Sequence, residues 1–137
     1  MILSKKTRYA IVALTRLARE YGNKPMLIRE ISEEEKIPRS FLENILLELK
    51  KAGILGSNLG KSGGYYLLKK PSEVNLADVV RHFEGTISLM YCVSEKSYRP
   101  CEFCKDEKSC QIRNVFKEVR DTTYGILTRT TLDQLIK

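Results

Sequence analysis

The chain has 137 residues, 42% of them apolar, with 24 Lys and Arg against 17 Asp and Glu and a formal net charge of +7. That length allows one domain with a modest core. No apolar run is long enough for a membrane span, and Arg16, Arg19 and Glu20 interrupt the stretch behind the basic N-terminus. A secretory leader is therefore not expected, and the cytoplasm is the expected location.

The charge is unevenly placed. Residues 1–70 hold 14 basic and 7 acidic side chains, whereas residues 71–137 hold 10 of each. An excess confined to one half is the footprint of a phosphate-binding surface, although a plain solvated face gives the same count.

Leu3 to Glu20 is predicted as a helix capped by Ser4, with Ala10, Ala13, Leu14, Leu17 and Ala18 on one face. Lys5, Lys6, Arg8, Arg16 and Arg19 fall mostly outside that stripe, where they suit either phosphate contact or solvent. Leu27 to Glu35 is predicted as a short second helix with Leu27, Ile28 and Ile31 inward. Its run Glu33-Glu34-Glu35 reads as a solvated face, because adjacent helical carboxylates point apart and do not converge on one ion.

Lys36-Ile37 turns the chain into a third helix, with Pro38 at the first helical position, where its missing N–H costs nothing. Phe41, Leu42, Ile45, Leu46 and Leu49 form its apolar stripe, and Gly53 stands where a helix end favours a left-handed residue. Two helices joined so tightly form a helix-turn-helix. Arg39, Ser40, Glu43 and Asn44 lie off the stripe in the N-terminal turns that reach base edges in such motifs. Arg39 has the chemistry to read guanine and Glu43 to accept from a cytosine amino group, with a surface carboxylate as the alternative for Glu43.

Ile54 and Leu55 begin a strand, Lys61-Ser62-Gly63-Gly64 is a Gly-rich turn, and Tyr65 to Leu68 returns as a second strand. Helix, strand, tip and strand make a winged helix, mainly α with a small β-hairpin wing. The DNA-binding set expected from this plan is Lys5, Arg8, Pro38, Arg39, Ser40, Phe41, Glu43, Asn44, Asn58, Lys61, Ser62 and Gly63.

Asn75 is placed to cap a further helix, with Leu76, Val79, Val80 and Phe83 inward and Gly85 as its end. His82, the single histidine, reads as a surface residue. A last helix starts near Cys110. Its stripe of Ile112, Val115, Phe116, Val119, Thr123, Ile126 and Leu127 is long for the little chain left to cover it, which points to a second subunit. The expected division is a winged helix-turn-helix domain over 1–85, a cysteine-bearing loop over 86–110, and a dimerisation helix with its tail over 111–137.

Four cysteines, Cys92, Cys101, Cys104 and Cys110, lie in that loop and none elsewhere. Clustered thiols in a cytosolic chain suit zinc, an iron–sulfur cluster or a thiol switch rather than structural disulfides. Their spacing matches neither ferredoxin-type ligand run, and Cys101-x2-Cys104 is an ordinary zinc half-site. The spacing leaves all three open. An enzyme is not expected: no nucleophile is paired with a base, and Gly60-Lys61-Ser62 lacks the upstream glycine of a phosphate-binding loop.

End to end, the chain resembles the IscR/NsrR-type family of bacterial winged-helix regulators. The resemblance is carried by Leu3-Ser4-Lys5-Lys6-Thr7-Arg8-Tyr9-Ala10, Phe41-Leu42-Glu43, Leu49-Lys50-Lys51-Ala52-Gly53-Ile54 and Gly60-Lys61-Ser62-Gly63-Gly64-Tyr65-Tyr66-Leu67. Leu76-Ala77-Asp78-Val79-Val80, Phe83-Glu84-Gly85 and Thr130-Thr131-Leu132-Asp133-Gln134-Leu135 extend it. The resemblance implies a homodimeric transcription regulator that reads a near-palindromic site in double-stranded DNA. Its dimer contacts would be Ile112, Val115, Phe116, Val119, Ile126 and Leu127.

The resemblance also implies an iron–sulfur cluster on three cysteines and a variable fourth ligand. Cys92 matches the first cysteine, and Cys104 and Cys110 resemble the second and third. Three departures stand out. Cys101 is an extra candidate ligand. Arg113 and Arg8 stand where other members supply a histidine or an acidic ligand. Leu59 replaces a groove-reading arginine of some members, leaving Asn58 and Lys61 to take part of that role. The losses favour an all-cysteine site of Cys92, Cys101, Cys104 and Cys110, holding a 2Fe-2S or 4Fe-4S cluster, with zinc as the alternative. The alternative functions are a zinc- or thiol-regulated repressor on the same scaffold and a regulator controlled by a protein of sulfur metabolism.

Overall fold

The computed structural model describes residues 3–61 and 63–137; Ser62, expected in the wing tip, lies outside the described residues. Helix α1 spans Lys5–Arg19, and Ser4 caps it, its hydroxyl accepting the Thr7 N–H at 3.2 Å. Ala10, Ala13, Leu14, Leu17 and Ala18 are buried as the pattern requires, and α1 is the central post of the core.

Helix α2, Ile28–Glu35, begins one residue later than the pattern suggested, with Leu27 as its cap residue. The Leu27 N–H donates to Glu30 Oε1 at 3.1 Å, so the orphan donor at the helix start is met by a side chain from its own first turn. Lys36 then adopts a left-handed conformation (φ 55°) that permits the sharp entry into α3. Ser32 Oγ donates to the Ile37 carbonyl at 2.7 Å, and Ile37 is buried, which locks that turn.

Helix α3, Arg39–Lys51, holds two corrections. Pro38 is the cap residue and not the first helical one: its ψ of 131° is extended, and its carbonyl accepts the first helical bond, from Leu42 N–H at 3.0 Å. Leu42, Ile45, Leu46 and Leu49 are buried, but Phe41 is 48% exposed. Phe41 precedes Leu42 by one step, roughly 100° around the helix, and so falls off the margin of the stripe. Its ring instead stands edge-on to Tyr9 of α1, centroids 6.0 Å apart.

Ala52 ends α3 and Gly53 follows with φ 79°. Strands β1, Leu55–Asn58, and β2, Gly64–Leu67, pair antiparallel from Leu55 opposite Leu67 to Asn58 opposite Gly64. Each starts one residue to the side of its expected place. Met26 adds a third backbone partner, exchanging hydrogen bonds of 2.9 and 2.7 Å with Tyr65. Gly64 permits this approach. A Cβ there would lie 2.2 Å from the Met26 carbonyl oxygen, and φ 129° suits glycine alone.

Helix α4, Leu76–Glu84, is capped by Asn75, whose Oδ1 accepts the Asp78 N–H at 2.9 Å, and it ends at Gly85. After the cysteine loop come α5, Gln111–Arg129, and the short α6, Leu132–Leu135. Thr131 bridges to Asn75 and Leu132 is fully buried in the main core, so the end of the chain returns to the winged helix. A small satellite core of Ala77, Val80 and Ile87, with Tyr124 and Leu127 against it, joins α4 to α5. Among the described residues no helix is long and apolar enough to cross a membrane.

Candidate nucleic-acid interface and cysteine centre

On α1, Lys5 and Arg8 are exposed. The other basic residues of the helix divide. Arg16 is tied to Glu34 at 2.6 Å and Glu20 at 2.9 Å, and Lys6 to Glu48 at 2.7 Å. The hydrogen bond to Glu34, then that to Glu20, hold the Arg16 guanidinium above its usual pKa range. Arg16 is thus a strut between α1 and α2, while Lys5 and Arg8 keep their charge toward solvent. Glu34 of the acidic run serves that strut.

Pro38, Arg39, Ser40, Phe41, Glu43 and Asn44 are all exposed on the first turns of α3. Arg39 and Glu43 form a solvent-facing pair at 3.5 Å, of a kind weak enough to open when a base or phosphate competes. In the wing, Asn58 and Lys61 are exposed and Gly63 is buried, its N–H donating to the Gly60 carbonyl at 3.0 Å. Lys50 Nζ donates to Ser57 Oγ at 2.7 Å, coupling α3 to the wing. His82 is exposed, edge-on to Phe83 at 4.9 Å.

Sequence reasoning missed Glu84. Its Oε1 accepts both the Ser4 N–H and the Thr7 hydroxyl at 2.8 Å, fastening α4 to the start of α1 beside Lys5 and Arg8. Burial pushes the Glu84 carboxyl up, but the Ser4 and Thr7 donors outweigh burial and hold it below the usual range. Thr7 itself is fully buried. The signal in the chain was a Thr in the apolar face of an otherwise regular helix start.

The four cysteines line one cavity of about 220 Å³, together with Met90, Phe103, Glu107, Ile112 and Arg113. Cys92 is buried in a short 3-10 turn, Tyr91–Val93, and the other three are half-buried around the rim. Two arginines of α5 hold that turn: Arg113 Nε donates to the Cys92 carbonyl at 3.4 Å and Arg120 Nη1 to the Val93 carbonyl at 2.8 Å. Tyr98 hydrogen-bonds Glu107 across the loop.

Cys110 caps α5, its sulfur accepting the Arg113 N–H at 3.4 Å. That N–H lowers the Cys110 pKa, as a helix N-terminus does for a thiolate. Burial, followed by the hydrogen bond it shares with Cys110, raises the Cys104 pKa. The donor set therefore fits a thiolate-ligated group: four soft sulfurs on one cavity with mostly apolar walls. They are not drawn together to grip a single ion, for among the described residues no three His, Cys, Asp or Glu side chains form a metal-holding group.

On α5, Ile112 (63% exposed), Val115, Val119 and Ile126 face solvent in the single chain. Phe116 is half-buried, and Leu127 packs on the satellite core of its own subunit.

A family model described as "Rrf2: Iron-dependent Transcriptional regulator" matches residues 3–137. The chain is 39% identical to an rrf2-like HTH-type transcriptional regulator of Rhodobacter capsulatus, over 98% of this chain and 92% of that protein. It is 29% identical to the HTH-type transcriptional regulator IscR of Photorhabdus laumondii, over 99% of this chain and 79% of that protein. The solved structure of CymR (YrzC), the global cysteine regulator of Bacillus subtilis, matches with a TM-score of 0.83 at 29% identity, covering 99% of this chain and 96% of that one. These relatives are transcription regulators and not enzymes, and the chain belongs to the Rrf2 family of winged-helix, DNA-binding transcription regulators.

Proposed function

We propose that this regulator works as a homodimer whose operator affinity is set by an iron–sulfur cluster held by Cys92, Cys101, Cys104 and Cys110. The observation that carries the proposal is the meeting of all four sulfurs on one cavity at the start of α5. The description of the matching family, an iron-dependent transcriptional regulator, supports iron as the metal. The cluster, when bound, supplies a group that oxidants, nitric oxide or iron shortage remove.

The chain's own parts do the rest. Residues 1–85 bind DNA through Lys5, Arg8, the start of α3 and the wing. The loop 86–110 links that unit to α5 through the Arg113 and Arg120 contacts to the Cys92 turn. The segment 111–137 offers Ile112, Val115, Val119 and Ile126 to a second copy, and its exposed apolar row supports that pairing. Ordering the loop would fix the tilt of α5, and with it the spacing of two recognition helices on half-sites one helical turn apart.

Purification without oxygen, followed by a visible spectrum and assays of iron, zinc and sulfide, tests this. Visible absorption with iron and sulfide, lost in Cys92→Ala and Cys110→Ala, is expected. A colourless, iron-free protein that binds its operator fully would exclude the cluster as the switch.

A second reading keeps the scaffold and replaces the cluster by zinc or by the thiols alone, with or without control by a protein of sulfur metabolism. It is supported by the likeness to CymR, the global cysteine regulator of Bacillus subtilis. Zinc without sulfide in the same assay would select it.

A further inference from the structure

We infer that the wing reads DNA by apolar insertion. Leu59 enters the minor groove and favours sites with a flexible pyrimidine–purine step beneath it. Leu59 is 99% exposed, more than any other large apolar residue described. A lone exposed leucine ordinarily needs no explanation. This one stands on the element that a winged helix lays against the duplex, between Asn58 and the Gly60-Lys61 turn, in the strongly basic half of the chain.

The residues flanking it are held by named contacts. A Cβ at Gly63 would fall 2.2 Å from the Asn58 carbonyl oxygen, so the two sides of the turn are in backbone contact. The Gly63 N–H closes on the Gly60 carbonyl, Met26 pins β2 at Tyr65 close to the tip, and Lys50 ties β1 to α3. A side chain presented this way loses little freedom on insertion. Against phosphates a leucine gains nothing, because it brings neither charge nor donor. Against the sugar walls of the minor groove, or a base face bared by partial unstacking, it buries its whole side chain. Steps such as TA and CA unstack most cheaply, so the contact converts DNA flexibility into sequence preference. Lys61 supplies the phosphate contact beside it. None of this depends on what the cysteines hold.

The test selects duplexes from a randomised pool with the wild-type chain and with Leu59→Ala in parallel, then measures affinity for the best wild-type duplex across a salt series. Wild type is expected to enrich a pyrimidine–purine step at a fixed distance outside the half-site read by α3. Leu59→Ala should lose that enrichment, keep the α3 half-site, and bind about five- to tenfold more weakly with an unchanged salt slope. Leu59→Met, flexible but apolar, should recover affinity to within about twofold. Lys61→Ala should lower the salt slope by about one while leaving the step preference intact. The same selected sequences and affinities within twofold for Leu59→Ala would overturn the inference. So would a loss of salt slope in place of step preference, which would make Leu59 only a prop for Lys61.

Discussion

Most of residues 3–85 hang on the main core, in which Leu14, Leu17, Ile31, Leu42, Ile45, Leu46 and Leu49 cluster across three helices and to which Leu132 returns. Residues 86–110 contain only two short 3-10 turns, and Phe103 in their midst is 92% exposed. The first region is held by buried apolar contact. The second buries only Ile87, Cys92 and Val93 among its apolar side chains, and is otherwise held by hydrogen bonds from α5 and by a few hydroxyls, among them the Thr86 and Ser94 pair at 3.0 Å. The contrast suits a regulator. On the proposed function, the DNA-reading half would gain nothing from moving internally, whereas a sensing loop would have to answer a local chemical event, and low local stability is what permits that.

The sharpest way to break this contrast is a pair of truncations. Leu46→Ala should cost about 2–5 kcal/mol in urea unfolding, because the site is fully buried among helices that cannot all close on the hole. Phe103→Ser removes a larger side chain and should stay within about 0.5 kcal/mol in protein stripped of metal. Similar losses for the two would mean that the loop is part of the core.

Gly64→Ala should come next, at about 1–3 kcal/mol, since both its φ and the Met26 carbonyl oppose a Cβ. Because the clash lies beside the wing tip, where Gly64 pairs with Asn58, DNA affinity should fall even at temperatures where the mutant stays folded. Retained affinity would show that the wing tip does not depend on the Met26 contact beside it.

Glu84→Gln is a smaller change that sharpens the electrostatic side. The carboxylate is held below its usual pKa by Ser4 and Thr7. Its contribution is therefore present above the unfolded-state carboxylate range and is lost as pH falls through the depressed folded value. The mutant should be about 1 kcal/mol less stable than wild type at neutral pH, with the gap closing on acidification. A gap that does not depend on pH would assign the effect to shape and not to charge.

These positions also mark how far the chain could be read without coordinates. The Ser4 and Asn75 caps and the stripe of α3 were readable because each depends on side chains within a turn or two of its own backbone. The wing was readable from its glycines, yet the reason for Gly64 lies in Met26, which is distant in sequence. Phe41 and Pro38 were misplaced by one step, since periodicity fixes a face but not its edge. Glu84 and Arg120 were invisible for a different reason: both act on partners far along the chain, Ser4 and Val93. The cysteine spacing named one loop and its candidate chemistries. It did not tell that Cys92 is buried while the others form a rim.

The smallest expected effect, and the most discriminating for the loop, is Arg120→Met. Arg120 donates to the Val93 carbonyl at 2.8 Å and is braced by Asp121 at 2.8 Å, with its stem largely covered. Methionine keeps much of that stem and removes the donor, so global stability should change by no more than about 1 kcal/mol. Hydrogen exchange should nonetheless quicken selectively at the amides of Val93 and Ser94, whose own bonds close the turn that buries Cys92. If the loop is an independent, weakly held unit, this local opening appears with the α1 and α3 amides unmoved. Were those core amides to quicken together with the loop, the two regions would unfold as one. The cysteine turn could then not be ordered or released without disturbing the DNA-reading half directly, and α5 would have no separate motion to transmit.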